Sequence, residues 1–175
     1  IGSDVMVAEY GSSWTTPVAI SGAMGLNSDA TAAVDAQGRR MVLWTHASST
    51  GLNGGNLTLD AYEAALDSNN VVFATYDELT SSWSTMQTVA LTEGMDTGLT
   101  IGHDASGNVV ASWVRKGADG LDHLMTTTWN GSTWSALGSG VDSDVNALVL
   151  SGTNLYAGGI FTSAGGVSAA RIAKW

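Results

Sequence analysis

The 175 residues are enough to bury a core of their own, and none is cysteine, which excludes a disulfide framework and any cysteine-based zinc or redox site. Sixteen Asp and Glu stand against six Lys and Arg, a formal charge of −10. The six cations are scattered as Arg39, Arg40, Arg115, Lys116, Arg171 and Lys174, so there is no basic stripe for nucleic acid and an anionic membrane surface would repel the chain.

No apolar run approaches the roughly 18 residues of a membrane span. No basic segment followed by an apolar core opens the chain, so no signal peptide is expected within it. The low charged fraction, with abundant Gly, Ser, Thr, Ala and Asp, suits a solvated β surface of the kind exported bacterial proteins carry. The expected location is extracellular or at the cell surface.

In chain order the elements repeat. Val5 to Tyr10 leads to Trp14, and Ala33-Val34-Asp35-Ala36-Gln37-Gly38-Arg39 then runs into Met41-Val42-Leu43-Trp44. The stretch from about Ser49 to Asn69 interrupts the rhythm. Its Gly51-Leu52-Asn53-Gly54-Gly55 start reads as a loop, and Asp60-Ala61-Tyr62-Glu63 resembles a capping box, so either one or two helical turns or a ragged edge strand follows. Val71 to Tyr76 then leads to Trp83, and Gly102 to Asn108 runs into Val109-Val110-Ala111-Ser112-Trp113. His123 to Trp129 leads to Trp134. Trp14, Asp35, Gly38 and Trp44 map onto Trp83, Asp104, Gly107 and Trp113 by one constant offset. The third copy, Leu148 to Tyr156, is degenerate, with Gly158 and Gly159 near the place of the tryptophan, and Arg171 to Trp175 starts a further strand.

Each unit reads as four short strands. The first two form a hairpin about Asp-x-x-Gly, where Asp bonds its own downstream backbone and Gly takes the positive φ. The third ends in Tyr or Trp, and the fourth begins at the next Trp. Asn130-Gly131 between Trp129 and Trp134 is the tightest hairpin signal. Four short strands per unit of about 40 to 50 residues is the signature of a propeller blade. The expected fold is all-β, about three four-stranded antiparallel blades of a β-propeller in an incomplete ring, a fragment of a larger propeller or one assembled between chains. The expected boundaries are a partial blade 1–28, a blade 29–97 with the insertion 49–69, a blade 98–143 and a partial blade 144–175.

The segment Trp129 to Gly140, with Asn154 to Gly166 and the closing Ile172-Ala173-Lys174-Trp175, resembles the tandem repeats of secreted bacterial propellers of the kelch and galactose-oxidase-like type. The earlier copies, with Asp-x-x-Gly before a strand ending in Trp, are similar to repeats of sialidase-like and lectin-like propellers. The resemblance implies shape. A Ser-x-Asp-x-Gly-x-x-Trp box is not matched, and a copper oxidase site would need a cysteine.

Among candidate chemical groups, Trp14, Trp44, Trp83, Trp113 and Trp134 are expected to pack between blades rather than stack on sugars, because they recur once per blade. His46, His103 and His123 fall at different places in the repeat, so no shared metal site is expected. Asp142 with Asp144, and Asp119 with Asp122, lie in Gly- and Ser-rich loops and read as turn residues. Asp119-Gly120-Leu121-Asp122 is the one stretch offering calcium, without EF-hand spacing. Asn56-Leu57-Thr58 and Asn130-Gly131-Ser132 match the glycosylation sequon without functional weight. Arg115-Lys116 reads as a solvated strand end, with an acidic or sugar ligand as the alternative.

No catalytic residue, metal ligand or cofactor is therefore expected, and the ligand-binding residues are unknown. The expected function is a non-enzymatic extracellular module for adhesion, carbohydrate binding or scaffolding, its partners a glycan or cell-surface protein and further blades from the same or a neighbouring chain. Two alternatives stand beside it: part of a catalytic propeller, a glycoside hydrolase or lyase with its active residues elsewhere, and a structural repeat of a filament or sheath.

Overall fold

The computed structural model describes residues 2–22, 25–48, 58–89, 95–117, 120–136, 140–151 and 154–175. A first hairpin joins β1 (Met6–Val7) to β2 (Val18–Ala19). A meander then runs through β3 (Gly25–Val34), β4 (Arg40–Ser48), the helix α1 (Leu59–Leu66), β5 (Asn70–Asp77) and β6 (Ser82–Trp83), with β7 (Gln87–Thr88) also paired to β5. The second meander is β8 (Met95–His103), β9 (Val109–Lys116), β10 (Asp122–Trp129) and β11 (Trp134–Ala136). The last sheet orders β12 (Val145–Ser151), β13 (Asn154–Gly159) and, after the inserted hairpin β14 (Ser163–Ala164) and β15 (Val167–Ser168), β16 (Ile172–Lys174).

Every pairing between these strands is antiparallel. The inner strands stand next to one another, β3 against β8 and β8 against β12. The sheets are blades of a β-propeller, and among the described residues they close no barrel.

Period-two alternation builds the interfaces between blades, since successive side chains leave a strand on opposite faces. Val42, Trp44, Val72 and Ala74 face the first hairpin and pack with Val5 and Ile20. Their neighbours Met41, Leu43, Val71 and Phe73 face the other way, onto Val109, Ala111, Trp113 and Trp129. The third interface joins Leu124 to Val141, Val145, Leu155, Ala157 and Phe161.

The first two strands of the two complete blades correspond at the offset of 69 that separates Asp35 from Asp104. Asp35 Oδ1 accepts from the backbone N–H of Gln37 and of Arg39, and Asp104 Oδ1 accepts from those of Ser106 and Asn108. Gly38 and Gly107 follow at φ +79° and +81°, a conformation that a Cβ would penalise. Both inner strands also carry one extra residue, between Ser28 and Thr31 and between Thr97 and Thr100. The left-handed residue within each bulge is Asp29, at φ +52°, or Gly98, at φ +65°. The two bulges touch, the Gly98 N–H donating to Asp29 Oδ2 at 3.2 Å.

Three expectations need correction here. The helix in the insertion is capped by Thr58, whose hydroxyl accepts from the Ala61 N–H at 3.2 Å, two residues before the Asp60 start that the capping-box pattern suggests. Trp14 does not pack between blades: it is 69 % exposed, with no blade packed on its ring among the described residues. Arg115 is no solvated strand end; it is buried, for the reason given below.

The degenerate third copy has a physical cause. A Cβ on Gly159 would lie 2.0 Å from the carbonyl oxygen of Asp144, at the register shift between Val145 and Ala147. The backbone fills the space a side chain would need, and Phe161, fully buried, supplies the aromatic ring instead. The loop Gly51–Gly55, Asn56, Leu57, Asp119, Gly138 and Ser139 lie outside the described residues.

Candidate functional site

The first hairpin and the two complete blades each carry an aromatic pair facing across their outer strands. Tyr10 bridges Trp14, Tyr76 pairs with Trp83 and Trp129 pairs with Trp134. Ring centroids are 5.3, 5.4 and 5.4 Å apart, in tilted or edge-to-face contact. The Trp129 and Trp134 rings also close on Phe73 of the preceding blade. Trp83 packs less completely against the first hairpin, because that hairpin contributes only two short strands.

The space left over is a groove of about 590 Å³. One wall is Val7, Glu9, Thr15, Thr16 and Val18 of the first hairpin; the other is Tyr76, Trp83 and the hydroxyl-bearing run Ser81, Ser82, Ser84 and Thr85. Trp83 also borders a second cavity of about 560 Å³ on the far side of its hairpin and a smaller apolar one of about 250 Å³ beside Met41. The turn from β5 to β6 within the second wall is held by Asp77 Oδ1, which accepts from the Leu79 N–H at 2.8 Å, and passes through Ser81 at φ +51°.

Charge at the groove is organised by Arg40. Its guanidinium carbon lies 3.8 Å from the centroid of the Tyr76 ring, one nitrogen pairs with Glu9, and the other donates to Glu78 at 2.8 Å. Two carboxylates on one guanidinium leave the cluster net negative. Arg39 is equally committed: it donates through Nε to Asp35 at 2.9 Å and through Nη2 to the carbonyl of Gly131. The backbone N–H of Glu9 is tied to the Thr15 hydroxyl at 2.9 Å, which fixes its wall of the groove.

A second polar constellation recurs in the two complete blades with different chemistry, half-buried in the first and buried in the second. In the first complete blade Asn27 Oδ1 accepts from the Trp44 indole at 3.0 Å and from His46 Nδ1 at 2.8 Å, so Nδ1 carries the imidazole proton. Burial holds the pKa of His46 below its ordinary value. At the same places in the next blade stand Asp96, Trp113 and Arg115. Arg115 donates to Asp96 through Nε at 2.6 Å and Nη2 at 2.5 Å, with the carboxylate side chain fully inaccessible. Burial pushes the Asp96 carboxyl up, and the Arg115 guanidinium pulls against it. The Trp113 indole N–H points at the same carboxylate outside strict hydrogen-bonding geometry and still favours its ionised form.

The other sequence candidates are dispersed. His103 donates from Nε2 to the Val34 carbonyl at 2.7 Å, and His123 stands on β10 opposite Arg115. Among the described residues no three His, Asp or Glu converge as metal ligands. Asp142 accepts from the Thr162 and Ser163 backbone and the Thr162 hydroxyl, each at 2.8 Å, which holds its carboxyl down at about 2. Asp144 Oδ1 accepts from the Asp122 N–H at 3.0 Å. Both aspartates brace loops. The groove itself was not foreseen from the sequence; the pairing of Tyr76 with Trp83 was visible there only as strand ends, and Glu9 and Glu78 carry no motif.

No family model matches this chain, and no curated protein does. A solved structure described as Hadza microbial sialidase Hz136 superposes with a TM-score of 0.59 at 14 % identity, over 91 % of this chain and 35 % of that one. The likeness is one of fold, and the chain spans about a third of that protein's length. Among the described residues no helix is long and apolar enough to cross a membrane.

Proposed function

We propose that the chain is a non-enzymatic module of an extracellular β-propeller and that it binds carbohydrate in the groove beside Trp83. The observation that carries the reading is the half-exposed Trp83 ring flanked by hydroxyls and a carboxylate in a cavity of about 590 Å³. An aromatic face takes the apolar face of a sugar ring, and convergent polar groups fix its orientation. Against catalysis, Asp96 is the carboxyl whose pKa burial raises, and it lies sealed against Arg115 where no substrate reaches it. Glu9 is the one carboxylate among the residues that line the groove, so no pair of carboxylates faces a substrate there.

The sialidase neighbour favours a second reading, a catalytic parent chain whose active residues lie outside these 175. A glycan array probed with this chain and with Trp83→Ala separates the two. The binding reading expects retained glycans on the first and at least a tenfold loss on the second; an empty array together with sialidase activity in the parent protein would favour the enzyme.

A further inference from the structure

We propose that the groove selects uncharged sugars and turns away sialylated and other anionic ones, an inference that rests on the binding reading above. Recognition of an anionic sugar calls for a guanidinium or ammonium free to face it, most effectively in a bidentate fork. No Arg or Lys is among the residues that line the groove, and the nearby Arg39 and Arg40 are engaged elsewhere. Arg40 has one nitrogen on Glu9, another on Glu78, and its face against Tyr76. Arg39 is spent on Asp35 and the Gly131 carbonyl.

What does face the groove is Glu9, whose side chain is 46 % exposed and whose Oε1 alone is engaged by Arg40. A carboxylate has about four acceptor sites, so Glu9 keeps capacity for a sugar hydroxyl. The same oxygen set repels a carboxylate or sulfate. Thr16, Ser81 and Ser84 add neutral hydroxyls on both walls, and Trp83 supplies the stacking face. The chain's charge of −10 acts in the same direction at longer range.

The test is titration calorimetry with a panel of matched pairs, each a neutral oligosaccharide and its sialylated form, at low salt and again at 0.5 M. At least one neutral sugar is expected to bind, its sialylated form at least tenfold more weakly, and the gap to narrow at high salt as repulsion is screened. Thr16→Trp fills the groove from an exposed position without touching the core and should lower binding of the neutral sugar at least tenfold. Glu9→Gln should reduce the discrimination severalfold. Equal or tighter binding of the sialylated forms would overturn the selectivity while leaving the binding reading in place. No binding by any member of the panel would overturn both.

Discussion

The indole N–H of Trp129 reaches across a blade interface to Oδ2 of Asp35, 3.3 Å away. The residue that folds one blade's first turn thereby also fastens the next blade's third strand. Asp104, its counterpart 69 residues on, serves only its own turn, where Asn108 Nδ2 takes up Oδ2 at 2.9 Å.

This difference predicts unequal costs for equal substitutions. Asp35→Asn removes a charge that accepts from Arg39 and Trp129 in a buried setting and should cost about 2 to 3 kcal/mol; Asp104→Asn should cost about 1. Urea unfolding of the two variants checks it, and matching midpoints would contradict the interblade role of Asp35.

The polar triads predict a rescue. Asp96→Asn leaves Arg115 charged in the core and should lose about 3 to 5 kcal/mol. Adding Arg115→His recreates the Asn27, Trp44 and His46 arrangement of the preceding blade and should recover most of that loss. Thermal unfolding of the single and double variants reads the coupling, and a double variant no better than Asp96→Asn would show that the two triads are not exchangeable.

Acid should weaken the fold. Burial pushes Asp35 and Asp104 up, yet hydrogen bonds from Arg39, Trp129 and Gln37 to the first, and from Asn108, Ser106 and Gly107 to the second, hold both below the ordinary carboxylate value. Asp142 is held at about 2 by the Ser163 and Thr162 donors. A carboxyl whose folded pKa is depressed contributes stability above the unfolded value of about 3.9, and that contribution disappears as pH falls towards the folded one. Asp96, which burial pushes up against the pull of Arg115, adds nothing to this loss. The three lowered groups predict a Tm that falls between about pH 5 and pH 2. Asp142→Asn should flatten the lowest part of that curve, and carboxyl NMR should place the Asp142 midpoint at about 2.

The open face of the first hairpin predicts self-association. Met6, Tyr10 and Trp14 are 51, 66 and 69 % exposed on the side where Trp83 and Trp134 each find a preceding blade. Trp14→Ser should change stability by less than about 0.5 kcal/mol while lowering the sedimentation-average mass at high concentration. Trp44→Ala, by contrast, empties a fully buried site and should cost about 3 to 5 kcal/mol. A strictly monomeric parent chain at all concentrations would remove the sticky-face prediction.

Much of this fold was legible in the sequence because a single offset aligned turn with turn and tryptophan with tryptophan. Asp35 and Gly38, like Asp104 and Gly107, act locally, so their pattern survives translation into structure without knowledge of the rest. What the sequence hid depends on partners distant along the chain. Arg115 looked solvent-bound because its charge is visible and its partner Asp96, 19 residues earlier, carries no motif. Trp14 looked buried because its equivalents are at least partly so; its exposure depends on what stands beside it. Phe161 was overlooked because the third copy exchanges a strand tryptophan for backbone at Gly159 and a ring from outside the repeat. The groove belongs to this second group, since Glu9, Arg40 and Glu78 meet only when two blades are laid together.

The matched bulges at Asp29 and Gly98 make the intervening unit excisable. Joining Ser28 directly to Gly98 would preserve a left-handed residue at the same place in the inner strand, and the hybrid strand, as long as β3, would take β9 as its neighbour in unchanged register. One mismatch would survive the splice, because Asn27 would then meet Arg115 instead of His46. Replacing Asn27 with aspartate in the same step restores the counter-ion, so lengthening or shortening such a chain by whole units comes down to matching one buried charge per junction.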